Sequence, residues 1–581
     1  MNLKIGKSNN RKYLSIVHGH RDKESGIVKT KTIQSLGYLE DLEKQYPDPI
    51  AHFREVARQM TEEYNAKRKT TITLDMDEEL PQDCDNRKNL GYAAILKIYY
   101  DLELDRFFNN KARHQGFEYN TNSIMTLLVA SRILSPGSKK KAFEEKSRYF
   151  ERFNFALHDV YRSLTHFSTI STDAQRHINE RISVRYKRNT SIIYYDVTNY
   201  YFEIDKEDEF RKKGYSKEHR RQPLVQMGLA MDADGVPLHY ELFPGNTLDK
   251  STFRSVIGEV RRNYETGRII VVADMGVITG DNIYYLVGGE KREKALNGYV
   301  FSFSIRGGTK IFKSYVLDQE GYHDSAGKPV DKDAEYKIKS RVIARDITVT
   351  MKDDSTATKT VYEKQVVFWS KKYAEKAKAD REVVLKKAME LIKNPDKFTK
   401  STTYGAARYV KNIAFDKKTK KVINTPGQAL SINHTKILEE EKYDGYYSIV
   451  TSEREMSEQE IIDTYRGLWE IEQTFSITKG TIETRPVYVS LKKRIEAHFL
   501  TCYIALVIMR LLQKETGKRF SCERIVDCLN RISCSNEQDN IYLFNYRNEI
   551  SDAIGEALGI DFTKKRMRLS EIKNLLAKSK K

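Results

Sequence analysis

The order of hydrophobic patterns between residues 191 and 308 constrains this chain most. SIIYYDVTNYYFEI is a β-rich run that carries Asp196. QPLVQMGLAM and VPLHYELF follow, joined by Asp232-Ala233-Asp234-Gly235, a hairpin signal. LDKSTFRSVIGEVRRNY then reads as a helix with Asp249 or Ser251 near its N-cap. RIIVVADMG is a short apolar strand ending at Asp274, ITGDNIYYLVGG a second helix, and GYVFSFSIRGG another strand. The predicted order is three antiparallel strands, helix, strand, helix, strand, which makes the class α/β.

That order is the one of a ribonuclease H-like core. In such a core the first and fourth strands are neighbours, so Asp196 within the first and Asp274 closing the fourth can share a metal ion. A third acid comes from YRGLWEIEQTFSITKG, where Tyr465, Glu472 and Lys479 are spaced by seven. On one long helix that spacing sets them on a single face, two turns apart, flanking an apolar stripe of Leu468, Trp469 and Phe475. A carboxylate among buried residues is costly unless paired or bound to metal. Asp196, Asp274 and Glu472 are therefore the expected catalytic and metal-binding residues. Oxygen ligands suit hard cations, so Mg²⁺ is expected, with Mn²⁺ as a substitute. Two ions ~3.5–4 Å apart clamp the attacking and leaving oxygens of an in-line phosphoryl transfer.

Around this core six regions are expected. Residues 1–85 alternate as a β-hairpin or small sheet, then a helix around Ile50–Asn65 and an acidic linker at Asp75–Asp85. Residues 86–188 read as helices for DNA binding or dimerisation, with a turn at Ser135 in SPGSKKK. The core occupies 189–306 and 444–493, interrupted at 307–443 by a mostly β insertion containing one helix-like piece. Ser457 and Glu460 form a capping box before the Glu472 helix. Residues 494–581 read as helical with a basic tail.

The formal net charge is +19, an excess that draws polyanions, nucleic acid above all. The first 40 residues hold eight Lys/Arg against three acids, and the last 21 hold eight against two. Double-stranded DNA is the expected partner. The five cysteines lack zinc-ligand or disulfide spacing and suit a reducing compartment. The start is polar, with no signal pattern, and the longest apolar run, Phe499 to Met509, is too short to span a bilayer, so no membrane is expected. A cytoplasmic location follows, with access to chromosomal DNA.

Lys479 and Tyr465 would face the same phosphates as Glu472, and Lys479 supplies a point charge. Arg485 in TRPVY is a further phosphate contact. Trp369, in the insertion, is a candidate to stack on a displaced base, although a lone strand tryptophan is more often core. Asn246 and Thr247 lie at the mouth of the site by topology, where capping a turn serves equally well.

Taken together, these motifs resemble a DDE transposase of a bacterial insertion sequence, in the branch marked by Y-x2-R-x3-E-x6-K. Tyr465, Glu472 and Lys479 fall on its Tyr, Glu and Lys, while YYDVTNYYFE and VVADMG are similar to its two Asp strands. PGNTLDKSTF, TRPVYV and the β insertion are also similar to segments of that branch. The signature arginine is Leu468 here, and Arg466 lies about 200° round the helix from it. Either another base makes that contact or the subgroup does without it. The resemblance implies binding to terminal inverted repeats, strand cleavage with water, joining of 3′-hydroxyl ends to a target, and a homodimer bridging two ends. The same acids would serve a nuclease that cuts without joining. A DNA-binding protein that has lost catalysis, or a glycosidase with paired carboxylates, fits the intact acids or the charge less well.

Overall fold

The computed structural model describes the chain except residues 9–10, 22–27, 67–76, 78, 80, 83, 215–221, 265, 289–295, 331–333, 352, 401, 404, 417–418, 420, 424–428 and 539. The chain forms two compact units, Met1–Asp85 and Asn86–Lys581. In the first, β1 (Asn2–Ser8), β2 (Arg11–Arg21) and β3 (Val28–Tyr38) make an antiparallel three-stranded sheet, one strand beyond a hairpin. Helices α1 (Leu39–Leu42) and α2 (Pro49–Ala66) complete it, and Leu14, Leu39, Leu42 and Phe53 form the shared core. Residues 75, 76, 78, 80 and 83 of the expected acidic linker at 75–85 lie outside the described residues.

In the second unit a short β4 (Arg87–Asn89) precedes six helices: α3 (Tyr92–Asp101), α4 (Leu104–Ala112), α5 (Thr121–Leu134), α6 (Lys139–Glu144), α7 (Leu157–Thr169) and α8 (Ser171–Tyr186). The core strands are β5 (Ile192–Tyr201), β6 (Leu224–Met231) and β7 (Pro237–Pro244), then helix α9 (Asp249–Asn263). Next come β8 (Ile270–Ala273), α10 (Gly280–Val287) and β9 (Gly298–Ser302). Leu248 is the N-cap of α9, with Asp249 and Ser251 in the first turn beside it, and Ser251 turns its hydroxyl back to the Leu248 carbonyl at 2.6 Å.

The insertion is less β-rich than its sequence suggests, and its main strands are not separate from the core. After α11 (Lys310–Leu317), the hairpin of β10 (Tyr336–Thr350) and β11 (Thr356–Ser370) pairs over its whole length. β11 then pairs with β16 (Tyr446–Thr451), which pairs with β9. One eight-stranded mixed sheet results, in the order β10-β11-β16-β9-β8-β5-β6-β7. Between β11 and β16 lie α12 (Lys371–Lys393), the two-residue strands β12 (Val410–Lys411), β13 (Ala414–Phe415), β14 (Val422–Ile423) and β15 (Ser431–Ile432), and α13 (His434–Glu441). Ala388, Leu391 and Tyr409 centre a small core of their own there.

The predicted single helix after β16 is two helices, α14 (Glu458–Arg466) and α15 (Trp469–Lys479). Helix α16 (Lys492–Glu515) then runs through the helical region against α5 and α7. It is long and apolar enough to cross a membrane, but almost all of its apolar stretch is buried inside the fold. Residues 516–581 are not wholly helical. Between α17 (Cys522–Arg531), α18 (Glu549–Leu558) and α19 (Leu569–Ser579) lie β17 (Ser533–Asn536), β18 (Ile541–Phe544) and β19 (Arg566–Arg568). With β4 they form a sheet in the order β19-β18-β17-β4. Strands this short carry no visible period; β17 pairs with β18 and β18 with β19 nearby in sequence, and β17 pairs on its other edge with β4, about 450 residues away.

The large sheet is covered on both faces, and β5 shows the split. Ile193, Tyr195 and Val197 join the core under α9 and α10, whereas Tyr194 and Tyr200 join the core of α14, α15 and α16. This is period-two alternation with both faces apolar.

Candidate active site

Strand register places the first two acids. Tyr195 pairs with Ala273, and Ala273 with Phe301, in parallel across β5, β8 and β9. The next row is Asp196, Asp274 and Ser302, on strands ~4.8 Å apart. Two rows back, Tyr194 and Val272 belong to the core on the α14–α15 side. Tyr195 and Ala273 belong to the other. Alternation therefore returns Asp196 and Asp274 to the face on which α14 and α15 pack. Asp196 is half-buried, with its Oδ1 accepting from the Val197 N–H at 2.7 Å. Asp274 is exposed, just past the end of β8. Its Oδ1 accepts from the Met275 N–H at 2.8 Å and from Ser302 Oγ at 2.5 Å. Tyr465 Oη stands 3.5 Å from the same oxygen.

The helix break sets the third acid. Gly467 lies flat on Tyr194: a Cβ there would stand 2.0 Å from Tyr194 Oη. Around it the backbone tightens, with Leu468 N–H bonding to Tyr465 O at 3.0 Å and Glu470 N–H to Gly467 O at 3.1 Å. Tyr465 is on α14, and Glu472 and Lys479 are on α15. Glu472 is exposed and Lys479 half-buried at the last helical position. Leu468 and Phe475 are buried as expected, but Trp469 is 54% exposed and is no part of the core. Burial pushes the Tyr465 phenol up to about 12, and the Asp274 and Glu472 charges add to this. Tyr465 thus stays a neutral donor between the two carboxylates. Among the described residues no three His, Cys, Asp or Glu side chains stand close enough together to hold a metal ion.

Two side chains that the sequence reading did not single out support these acids. Ser302 is the β9 member of the acid row. Its signal was the alternation in GYVFS, where a hydroxyl falls beside the predicted acid pair. Arg510 comes from α16 and is 4% exposed. Its guanidinium donates to Thr474 Oγ1 at 2.6 and 3.1 Å, to the Glu470 carbonyl at 2.8 Å and to Gln473 Oε1 at 3.1 Å. Glu470 and Thr474 lie about 160–200° from Glu472 round α15. Arg510 therefore grips the back of the helix that presents Glu472. The signal was a lone arginine inside the apolar run ALVIMRLL.

Residues 187–508, more than half of the chain, match the family model described as a transposase DDE domain. The chain belongs to the DDE transposase family. Residues 3–71 match a second model, the N-terminal domain of IS1634 family transposases, which marks it as a transposase of an insertion sequence. A search of curated proteins finds no match.

The other residues singled out in this transposase sit farther off. Arg485 Cζ lies 4.9 Å over the ring of Tyr201, five residues along β5 from Asp196, or ~17 Å. Trp369 is on β11, three strands from β8. Its Nε1–H donates to the Asp444 carbonyl at 2.9 Å, and Lys337 stands over its ring at 5.4 Å. Trp369 is half-buried. The Thr247 N–H closes a turn on Pro244 O at 3.0 Å. Arg466 is exposed and lies 3.3 Å from Asp463, and Leu468 is buried, so no guanidinium replaces the signature arginine from these two positions. The connection from α15 to α16 is held from behind. Arg132 donates to the carbonyls of Ile482 and Glu483 at 3.4 and 3.0 Å, and His498 Nε2 lies 2.8 Å from Thr484 O.

Proposed function

We propose that this transposase binds the terminal inverted repeats of its own element and catalyses Mg²⁺-dependent DNA cleavage and strand transfer from Asp196, Asp274 and Glu472. The observation that carries this reading is the register that sets Asp196 and Asp274 side by side on the face where α14 and α15 pack. Sheet order supports a ribonuclease H-like core: reading β7-β6-β5-β8-β9, three antiparallel strands are followed by two parallel ones on the far side of the first.

The donor set suits a hard divalent cation, since all three candidate ligands are carboxylates. Asp274 Oδ2 has no hydrogen-bond partner among the described residues, which leaves it open to a ligand. Two bound Mg²⁺ ions would supply Lewis-acid stabilisation of the attacking and leaving oxygens. Asp196 and Asp274 would hold the ions from the sheet, and Glu472 would join them from α15 by a change of rotamer, since among the described residues no three acids stand together. Lys479 reaches phosphate near the reacting end, and Arg485 reaches it farther along β5. Residues 1–85 and 86–188 provide surface for end recognition, and a homodimer brings two element ends together in the cytoplasm.

The test is a cleavage and strand-transfer assay on a labelled DNA end from the gene's own flank, comparing wild type with Glu472→Gln in Mg²⁺. Joined products that vanish in the variant are expected. Cutting without joining points to a nuclease, and binding with equal inactivity of both proteins overturns the catalytic reading.

A further inference from the structure

We propose that Ser302 is a positioning residue for Asp274: it holds one carboxylate oxygen and thereby commits the other to the metal. The inference rests on the reading of Asp274 as a metal ligand and assigns the part that fixes its orientation. A carboxylate just past a strand end rotates freely, because its last torsion has broad minima. Asp274 is not left to rotate. Its Oδ1 takes the Met275 N–H at 2.8 Å and the Ser302 hydroxyl at 2.5 Å, with Tyr465 Oη at 3.5 Å. The same Ser302 oxygen lies 2.9 Å from the Met275 nitrogen. Serine, main chain and carboxylate thus form a closed triangle. All of these contacts fall on Oδ1, so Oδ2 is the oxygen left for a single, monodentate metal bond.

The register explains why this task falls to residue 302. Ser302 follows Phe301, the partner of Ala273, just as Asp274 follows Ala273. It is anchored on its other side by pairing with Ile449 of β16. The central sheet, not a loop, therefore supplies the serine. Outer partners of this kind orient metal-ligating carboxylates and tune affinity. The Ser302–Asp274 bond is solvent-exposed, so it adds little to global stability. Its value lies in the direction of Oδ2.

The test is a Mn²⁺ titration of the full-length protein followed by melting temperature, on wild type, Ser302→Ala, Ser302→Thr, Asp274→Ala and Asp196→Ala. The metal-free melting temperature of Ser302→Ala should equal that of wild type. Its Mn²⁺ midpoint should rise about tenfold, the lower end of the usual effect of losing such a partner. Ser302→Thr keeps the hydroxyl and should restore the wild-type midpoint. A wild-type midpoint in Ser302→Ala, with the response lost in Asp274→Ala, overturns the role of Ser302 alone. A wild-type protein that does not respond to Mn²⁺ overturns the metal reading and this inference with it.

Discussion

Replacing Lys139 with methionine should make the transposase more stable at neutral pH and erase a pH dependence specific to that residue. Lys139 is 4% exposed, and its Nζ lies 2.8 Å from His498 Nδ1. Burial, with the Arg132 charge nearby, pulls the ammonium down to about 7 from its usual 10.5. Burial also holds His498 well below its usual value, so the ring is neutral there. A neutral ring that accepts from Lys139 at Nδ1 donates its Nε2–H to Thr484 O. The lysine therefore orients the histidine that holds the loop after α15.

The sign follows from the lowered value. Between pH 7 and 10.5 the unfolded chain binds a proton at Lys139 that the folded chain has released. Wild-type stability therefore rises with pH across this window, by about 1.4 kcal/mol per pH unit, and the penalty is complete below pH 7. From pH 7 to 9 this amounts to about 2–3 kcal/mol. The Lys139→Met variant lacks the term. The histidine acceptor it leaves unpaired costs about 1–3 kcal/mol at every pH in the window, which shifts the level but not the slope. Urea unfolding of both proteins at pH 7, 8 and 9 isolates the slope, because the other groups cancel in the difference. A difference that stays constant from pH 7 to 9 would show that Lys139 titrates as an ordinary lysine and would refute the argument.

Three other perturbations probe the supports of the site and of the sheet. Gly467→Ala drives a methyl into Tyr194 Oη and should cost about 1–3 kcal/mol, in part recovered by Tyr194→Phe, as read by urea midpoints. Arg510→Met strips four hydrogen bonds and an ion pair to Glu470 from the back of α15. It should lower stability by about 2–4 kcal/mol and speed amide exchange in residues 469–479 more than in α14; uniform exchange would dismiss the grip on α15. Glu363 is fully buried between β10 and β16 and accepts from Arg345, Tyr299 and Gln365. Glu363→Ala should cost about 3–5 kcal/mol by leaving Arg345 uncompensated, and Glu363→Ala with Arg345→Met should cost less than the two singles together.

Much of the framework around the candidate site was legible before the structure. The apolar runs at Ile192–Tyr201 and Ile270–Ala273 end or pause at acids, and both are strands. The pattern Ser457–Glu460 closes into a capping box, with the Ser457 N–H donating to Glu460 Oε2 at 2.8 Å. These features depend on residues a few positions apart, and period and capping chemistry act at that range. The break in the Glu472 helix was not legible, because residues 465–479 keep a helical period throughout. It falls at Gly467, where Tyr194, more than 270 positions away, leaves room only for a glycine. For the same reason Trp469 could be placed on the wrong side of the helix. Ser302 and Arg510 were visible as odd residues in apolar runs, but not their partners.

By itself the sequence determined the strand–helix order of the core and the basic character that suits a nucleic-acid partner, and it singled out three candidate acids. The tertiary structure decided the rest: the break between α14 and α15, the extension of the core sheet by the β10–β11 hairpin, the strand that links residue 88 to residue 534, and the hydrogen-bond partners of the candidate acids. The division has a physical cause. Hydrophobic period and end-capping are local free energies written in neighbouring residues, whereas the direction of an individual carboxylate depends on donors and close packing supplied by distant parts of the chain.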